Sequence, residues 1–324
     1  MKNKTRPVRV AVVGATGIGR HHANWWHLEG AEVCAFVGRT AESIEKTGAM
    51  LLETFRIPAR GYTSLPEMLT KEQPEIVDVC SPNPCHYGHT KTALEAGCSV
   101  LCEKPFVYEP GASRETLLEK AQELVEIADT RGLRLGVCTQ YSAGTGILKE
   151  LYSKYHGTWE LRNYCGHLES PAKGRSPDPR RVWVDLSPHP ISVLLQLCPD
   201  LEIDWDTVET HFSGYAANVR FMGRSHNKEI SCTIMTGNRT DPPQNIREFI
   251  FNDFRFLIEG ERDPQGIYNA RVETSLGNYV CEDFMRLLIR DFLAGRPTAD
   301  GRTALRNLDL MMRFMEKADK QITT

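Results

Sequence analysis

The sequence predicts two domains: a doubly wound α/β domain with a parallel sheet, and an α+β domain with a large, open, mostly antiparallel sheet. Three observations support this prediction. Over residues 1–140, apolar strand-like runs alternate with helix-like segments. A glycine-rich turn joins the first strand to its helix. Over residues 141–324, strands follow one another with little helix between them, which is typical of antiparallel pairing.

Six strands and five helices are predicted in the first domain. Each strand is an apolar run bounded by a turn or a helix start, and Thr40 is a candidate N-cap for the second helix. The predicted strands are Val8–Val13, Glu32–Val37, a short one near Gly61 and Tyr62, Ile76–Cys80, Ser99–Cys102 and Leu133–Cys138. The predicted helices are Gly19–Leu28, Ala41–Phe55, Pro66–Leu69, Tyr87–Ala96 and Arg114–Thr130.

The second domain is predicted to start with a helix, Ile147–Tyr155, followed by an irregular stretch from Ser170 to Arg181 and a helical run from Val184 to Leu197. Two helices, Val280–Leu293 and Thr303–Lys320, close the chain, and we expect the C-terminal helix to pack back on the first domain. The strands predicted between them are Val208–Phe212, Ala217–Phe221, Glu229–Met235, Glu248–Phe251, Arg255–Glu259 and Ala270–Thr274.

The composition of the 324 residues is that of an ordinary globular protein, with 41% hydrophobic and 25% charged residues. A net charge of −3 gives no reason to expect nucleic acid or an anionic membrane as a partner. The ten cysteines are dispersed and form no C-x-x-C motif, which favours free thiols in a reducing, cytoplasmic compartment. The basic start, Met1 to Arg6, lacks the apolar core of a signal peptide.

The turn after the first strand predicts a dinucleotide site. Its sequence is Gly14-Ala15-Thr16-Gly17-Ile18-Gly19, a variant of G-x-G-x-x-G in which Thr16 holds the middle glycine position. In a Rossmann domain such a turn places backbone amides and a helix N-terminus against the pyrophosphate. The alternative is a purely structural glycine turn. The residues expected to bind the pyrophosphate are Gly14, Thr16, Gly17, Ile18 and Gly19.

The end of the second strand indicates which cofactor is preferred. NAD-binding domains carry a carboxylate there for the ribose 2′-hydroxyl, whereas this chain has Gly38-Arg39-Thr40. Glycine leaves room for a phosphate, and Arg39 and Thr40 can donate hydrogen bonds to it. NADP(H) is therefore the preferred prediction. NAD(H) remains the alternative, with Arg39 as a surface residue that stacks on adenine.

Two further groups of residues indicate catalysis. Glu103-Lys104-Pro105 ends the fifth strand, which places an amine at the edge where open α/β sheets bind ligands. Asp185 and His189 are four residues apart, which predicts that they lie on one face of a helix. In that position the carboxylate can tune the imidazole for proton transfer. A solvated turn and a surface pair are the alternatives. No metal is expected, because the Asp/His pair has no third ligand at a recognisable spacing.

Four segments resemble the glucose-fructose oxidoreductase and inositol dehydrogenase (Gfo/Idh/MocA) family. The resemblance is close over the first ~140 residues and partial at the fourth segment. The segments are Gly19-Arg20-His21-His22-Ala23, Ser81-Pro82-Asn83-Pro84-Cys85-His86, Ala93-Leu94-Glu95-Ala96-Gly97 leading into Glu103-Lys104-Pro105, and Asp185-Leu186-Ser187-Pro188-His189.

The resemblance implies a role for each segment. Lys104 would lie between nicotinamide and substrate, the Lys104–Pro105 bond would be cis, and Asp185 and His189 would form the proton-transferring pair. The second-domain sheet would be covered in a homodimer or homotetramer. The residues implied to line the nicotinamide side are Ser81, Pro82, Asn83, His86, Glu103 and Lys104.

The resulting prediction is an NADP(H)-dependent oxidoreductase acting on a secondary alcohol or ketone of a sugar, a polyol or a related small molecule, neutral or anionic. Imine reduction, redox-assisted glycoside cleavage and a non-catalytic NADP-binding regulator are the alternatives. The chain departs from the family on the substrate side, with Pro179-Arg180-Arg181 before the aspartate, Ser187 after it, Ser192 beyond the histidine, and Gln140-Tyr141-Ser142 after the sixth strand. The candidate substrate residues are Tyr141, Arg180, Arg181 and Trp183, with Arg175 as a further cation for an anionic substrate unless this is a solvated loop.

Overall fold

The computed structural model describes residues 6–322, so most of the basic start, Met1 to Thr5, lies outside the described residues. The chain divides into two compact units. The first unit comprises the residues up to Cys138 together with Leu288–Leu305. The second comprises Thr139–Leu287 and the residues from Arg306 onward. No helix within the described range has the length and apolar character needed to cross a bilayer.

The first unit is built on a six-stranded sheet of order β3-β2-β1-β4-β5-β6 in which every pairing is parallel. Because helices cover such a sheet, its central strands are largely apolar and buried on both faces. The strands are β1 (Arg9–Val13), β2 (Glu32–Val37), β3 (Arg60–Tyr62), β4 (Ile76–Val79), β5 (Ser99–Glu103) and β6 (Leu135–Cys138). The intervening helices are α1 (Gly19–Leu28), α2 (Ala41–Phe55), α3 (Leu65–Glu72), α4 (His86–Glu95) and α5 (Arg114–Arg131).

Strand register brings the carboxyl ends of the central strands to one edge. Val13 lies opposite both Val37 and Val79, and Val79 lies opposite Cys102. The segments that follow these strands therefore start at the same level. Strand order reverses between β1 and β4, and this is the point where doubly wound sheets bind ligands.

Local sequence signals determine where several helices begin and end. The hydroxyl of Thr40 accepts a hydrogen bond from the Ser43 N–H, and the hydroxyl of Ser43 accepts one from the Thr40 N–H, so the predicted N-cap of α2 is confirmed as a capping box. Helix α5 ends at Gly132, which adopts the left-handed conformation. The segment Leu288–Leu305 closes the sheet edge, where the Val137 N–H donates to the Ala299 carbonyl at 2.8 Å.

The second unit contains an eight-stranded sheet of order β14-β13-β12-β11-β7-β10-β9-β8. All its pairings are antiparallel except that between β7 and β10. The strands are β7 (Asn163–Pro171), β8 (Glu202–Ser213), β9 (Ala216–Ser225), β10 (Lys228–Arg239), β11 (Ile246–Phe251), β12 (Phe254–Arg262), β13 (Tyr268–Thr274) and β14 (Gly277–Glu282). The remaining helices are α6 (Gln140–Ala143), α7 (Thr145–His156), α8 (Pro179–Leu186), α9 (Pro188–Leu197), α10 (Phe284–Leu293) and α11 (Gly301–Ile322).

Three predictions about this unit were wrong. Strand β7, at the centre of the sheet, was missed because its outward positions carry Cys165, His167 and Glu169 rather than apolar residues. Val280 lies in β14 and not in the closing helix, which begins four residues later at Phe284. The single helix expected from Val184 to Leu197 is two helices, because prolines at 188 and 190 remove two backbone donors.

The two faces of this sheet differ in character. One face carries the buried core, with side chains such as Tyr164, Phe249 and Phe256 at 1% exposure or less. The opposite face is open and partly polar. At its centre the ring of His167 lies 2.9 Å from Glu169 and 3.5 Å from Glu248. This pattern matches the predicted fold class, a parallel Rossmann sheet followed by a large, mostly antiparallel sheet.

Candidate active site

The glycine-rich turn is tightly packed at its outer glycines and open in its middle. Gly14 has φ +88°, and a Cβ there would lie 2.7 Å from the Cys80 carbonyl oxygen. A Cβ on Gly19 would lie 2.4 Å from the carbonyl oxygen of Gly14. Gly17 has open space around it, and its neighbours Thr16 and Ile18 are exposed. The outer glycines thus shape the turn, while the middle of the turn presents accessible backbone at the start of α1.

The segment after β2 presents a cation and a capped helix. Gly38 fits closely, because a Cβ there would lie 3.2 Å from atoms of both Ile44 and Ser43. Arg39 is exposed and has no ion-pair partner among residues 6–322. Thr40 caps α2, whose first turn also carries Glu42, paired with Lys46 at 2.6 Å. The arrangement offers a guanidinium and helix N–H groups to an anion.

The segment after β4 is held by a buried histidine. The ring nitrogens of His86 lie 2.9 Å from the Pro105 carbonyl oxygen and 2.8 Å from that of Ser81. His86 is 1% exposed, so its role here is to join two loops. Pro82 is exposed and Asn83 is half-buried, while the hydroxyl of Ser81 contacts His89 at 2.9 Å.

Lys104 lies in a turn directly after β5. Its backbone N–H donates to the Glu103 carboxylate at 3.0 Å, and the Lys104–Pro105 peptide is cis, as the resemblance implied. The His86 contact to Pro105 fixes the other side of the same turn. Both Glu103 and Lys104 are half-buried. The backbone that carries the amine is therefore constrained on both sides.

Behind this turn lies a buried ion chain, Asp78–His22–Glu103, that the sequence did not reveal. The two ring nitrogens of His22 lie 2.9 Å from the Asp78 carboxylate and 3.0 Å from that of Glu103. The side chains of His22 and Asp78 are fully buried, and that of Glu103 is 13% exposed. The indole N–H of Trp26 donates to Asp78 at 2.6 Å. The available signals were a lone carboxylate inside an apolar strand and the second histidine of α1.

The charges of the three side chains in this buried ion chain follow from their burial and their distances from one another. Burial lowers the pKa of His22, but the charge and the hydrogen bond of the Asp78 carboxylate raise it, and the net pKa lies well above its usual value. Burial raises the pKa of Glu103, yet the hydrogen bond and charge of His22, with the charge of Lys104, lower it to about 2. The imidazolium thus lies between two carboxylates. Burial raises the pKa of the nearby Cys138 thiol to about 12, so that thiol is protonated at neutral pH.

The second unit holds the predicted pair in two different helices. Asp185 lies in α8 and His189 in the first turn of α9, so they do not share one continuous helix face as expected. The ring of His189 lies 5.2 Å from that of Tyr141, at 77° to it. The side-chain amide of Asn307 donates to the Pro188 carbonyl at 2.8 Å and to the Ser192 hydroxyl at 2.9 Å, which fixes the start of α9.

The other predicted substrate residues have structural partners. Trp183 is fully buried and its indole N–H donates to the Met311 carbonyl at 2.9 Å, so it is a core residue and not a contact for substrate. Arg180 is exposed and pairs with Asp319. Arg181 donates to the Ser176 carbonyl at 2.9 Å. Of this predicted set, Tyr141 alone borders the cavity described next.

A cavity of about 490 Å³ lies within the second unit. Its size suits a monosaccharide-sized ligand, and it combines aromatic walls with amide and charged groups. Arg247, which the sequence did not single out, is one of its lining residues. The lining residues are Gln140, Tyr141, Asn245, Arg247, Ile258, Glu259, Gly260, Asn269, Ala270, Asp283 and Phe284.

The fold and the glycine turn together define a domain of the Rossmann type. Residues 8–139 match the Gfo/Idh/MocA family, described as "Oxidoreductase family, NAD-binding Rossmann fold". This part of the chain is therefore similar to the nucleotide-binding domain of the Gfo/Idh/MocA oxidoreductases.

Three comparisons indicate its relatives. A D-glucoside 3-dehydrogenase of Escherichia coli is 34% identical over 162 residues, which is 45% of this chain and 42% of that protein, so the alignment spans less than half of the relative. The WlbA dehydrogenase of Bordetella pertussis, solved with NADH and UDP-GlcNAcA, has a TM-score of 0.68 at 17% identity and covers 98% of both chains. An inositol dehydrogenase homologue of Azotobacter vinelandii, solved with NADH and myo-inositol, has a TM-score of 0.71 at 17% identity, covering 98% of this chain and 96% of that one. These structural matches establish the fold.

Proposed function

We propose that the protein is a nicotinamide-dependent dehydrogenase that interconverts a secondary alcohol and its ketone on a sugar or polyol. The observation that carries this proposal is Lys104, whose backbone is fixed between the Glu103 carboxylate and the His86-bound Pro105 carbonyl. It follows a strand whose carboxyl end is level with the glycine turn. The names of the matched relatives, which include a D-glucoside dehydrogenase and an inositol dehydrogenase homologue, support the substrate class.

The proposed chemistry assigns one task to each side chain. Nicotinamide supplies the acceptor or donor of the hydride when it is bound. In the oxidative direction the alcohol carbon loses a hydride and the hydroxyl loses its proton. We assign uptake of that proton to His189 and a hydrogen bond to the same oxygen to Lys104. Asp185 is assigned to tune His189. The reverse direction returns the proton to the ketone oxygen.

Net hydride transfer is the test that separates this proposal from its alternatives. Purified protein is incubated with NADP⁺ or NAD⁺ and a panel of polyols, neutral sugars and sugar acids, and reduced nicotinamide is followed by its absorbance. We expect one reduced nicotinamide for each molecule of ketone formed. Product without net nicotinamide reduction would instead support redox-assisted glycoside cleavage. Cofactor binding without any product across the panel would support a regulator.

We further propose that NADP(H) is preferred over NAD(H). The support is the unpaired and exposed guanidinium of Arg39 beside the capped start of α2, with no carboxylate at the end of β2. We expect wild type to bind NADPH more tightly than NADH, and Arg39→Ala to lose roughly 10-fold in NADPH affinity with little change for NADH. Arg131→Ala, at an exposed arginine that donates to the Glu95 carbonyl, is the matched control. Equal affinity of wild type for the two cofactors would contradict the preference.

We also propose a homodimer or homotetramer formed through the open face of the second-unit sheet, in the cytoplasm. The support for the interface is that face's half-buried residues, Cys165, His167, Glu248 and Ile250, on adjacent central strands. The support for the compartment is that all ten cysteines, each within the described part of the chain, are free thiols. Light scattering of the purified protein tests the assembly, and a monomer at micromolar concentration would contradict it.

A further inference from the structure

We propose that the cavity of the second unit binds the anionic group of the substrate, a carboxylate or a phosphate, through Arg247. This inference rests on the proposed function and narrows its substrate class to sugars or polyols that carry a negative charge away from the reacting carbon.

Arg247 is held rigidly by neutral acceptors. Its guanidinium donates to the backbone carbonyls of Glu169 and Ile246, to the Ser170 hydroxyl at 3.0 Å and to the Asn245 side-chain oxygen at 3.1 Å. It lies on the covered face of the sheet, because its strand partner is Leu168, a fully buried residue. A guanidinium fixed in this way loses little rotational freedom when it binds an anion.

The charge of Arg247 is also uncompensated. Among residues 6–322, no carboxylate lies within ion-pair distance of its guanidinium. Three other arginines of the same sheet do have carboxylate partners: Arg239 pairs with Glu169, Arg255 with Glu248 and Arg271 with Glu259. A half-buried cation without a counterion is costly in a folded protein, and a bound anion removes that cost.

The other groups around the cavity suit a polyhydroxylated anion. The side-chain amides of Gln140, Asn245 and Asn269 can donate to and accept from hydroxyl groups. Glu259 is paired with Arg271, so its charge is already compensated. Asp283 accepts a hydrogen bond from the Met285 N–H at 2.8 Å, and burial raises its pKa, which favours its neutral form. The compensated Glu259 carboxylate therefore opposes an incoming anion weakly.

The cavity adjoins the candidate proton-transfer residue within the same unit. Tyr141 borders the cavity, and its ring lies 5.2 Å from that of His189 and 5.8 Å from that of Phe249. Tyr141 therefore contacts both the cavity that Arg247 lines and the ring of His189. Arg175, Arg180 and Arg181, the cations expected from the sequence, do not line this cavity.

Binding measurements on the cofactor-loaded protein test the inference without requiring turnover. D-glucuronate and D-glucose 6-phosphate are titrated calorimetrically against D-glucose as the neutral probe, and the two anions distinguish a carboxylate from a phosphate site. We expect at least one anion to bind 10-fold or more tightly than D-glucose, and Arg247→Gln to weaken that anion roughly 10- to 100-fold. Arg247→Lys, which retains the charge, is expected to recover part of the affinity. Arg262→Gln, at an exposed arginine on the neighbouring strand that stacks on Tyr268, is the control.

The inference fails if both anions bind no better than D-glucose, or if a correctly folded Arg247→Gln protein retains wild-type affinity for the anion. These outcomes are separate from failure of the proposed function. Anion binding through Arg247 without nicotinamide turnover on any sugar would overturn the proposed function and leave the subsite standing. Turnover of neutral sugars that is unaffected by Arg247→Gln would support the proposed function and overturn the anion subsite.

Discussion

Replacing His22 by Asn removes the positive charge from the buried ion chain and leaves the carboxylates of Asp78 and Glu103 without their shared counterion. The imidazolium contacts Asp78 at 2.9 Å and Glu103 at 3.0 Å, and the side chains of His22 and Asp78 are fully buried. The shorter amide of Asn reaches one carboxylate at most. Removing one partner of a buried ion pair costs about 3–5 kcal/mol, because an uncompensated charge remains.

The Glu103 carboxyl gives an independent magnitude. Its pKa moves from the ordinary 4.5 to about 2, with the His22 hydrogen bond and charge as the leading causes that overcome burial. That difference corresponds to about 3 kcal/mol of preference for the ionised form in the folded protein. The cost of breaking a buried ion pair and the free energy from the Glu103 pKa shift are similar. We therefore expect His22→Asn to lose about 3 kcal/mol of local stability at neutral pH.

The effect depends on pH in a defined way. The Glu103 contribution is complete above pH 4.5 and is lost as the pH falls toward about 2, because its pKa is lowered in the folded state. The His22 contribution is complete below pH 6.5 and is lost as the pH rises through its raised pKa. The difference in the free energy of unfolding between wild type and His22→Asn is therefore largest between pH 4.5 and pH 6.5, the ordinary pKa values of the two groups.

Hydrogen exchange of the β4 and β5 amides measures this local stability, since those strands carry Asp78 and Glu103. His27→Asn, at an exposed position of the same helix, is the control and is expected to leave exchange unchanged. Because Glu103 also accepts from the Lys104 backbone, kcat of the His22 variant should fall roughly 10- to 100-fold. A loss under about 1 kcal/mol with no pH dependence would refute this role for His22.

Two further predictions follow from the close contacts and the cysteines. Gly14→Ala should lose about 2 kcal/mol or more in urea unfolding, because its φ is +88° and the new Cβ would meet the Cys80 carbonyl oxygen at 2.7 Å. Gly17→Ala should keep its stability but lose cofactor affinity, and equal destabilisation by the two variants would contradict the assigned roles. Cys85 is the exposed cysteine, so a thiol reagent should modify it fastest in the native protein. Cys85→Ser should abolish that fast phase, and an unchanged phase would show that another cysteine is accessible.

Much of the first unit could be predicted from sequence because its signals are local. The capping pair of Thr40 and Ser43 involves residues three apart, and most of the parallel strands are largely apolar runs. The glycine turn is recognisable because Gly14 and Gly19 leave no space for a side chain. Such features depend on neighbours along the chain and not on the tertiary fold.

What the sequence could not provide depends on distant residues. Asp78 and Glu103 lie 56 and 81 residues from His22, and no spacing rule joins them. Strand β7 could not be recognised because its open face carries His167 and Glu169, which pair with each other and with Glu248 on β11 and Arg239 on β10. The charge of Arg247 becomes notable only when the fold shows which arginines of the sheet have carboxylate partners.

The most direct test of the central claim is turnover by Lys104→Ala under saturating cofactor, with a substrate identified from the polyol and sugar panel. Because Lys104 is assigned to the reacting oxygen, we expect kcat to fall roughly 10²- to 10⁴-fold while the dissociation constant of the cofactor is unchanged. Lys91→Ala, on α4 and paired with Glu123, should retain full activity. A Lys104→Ala protein that binds cofactor and turns over at the wild-type rate would contradict the assigned mechanism.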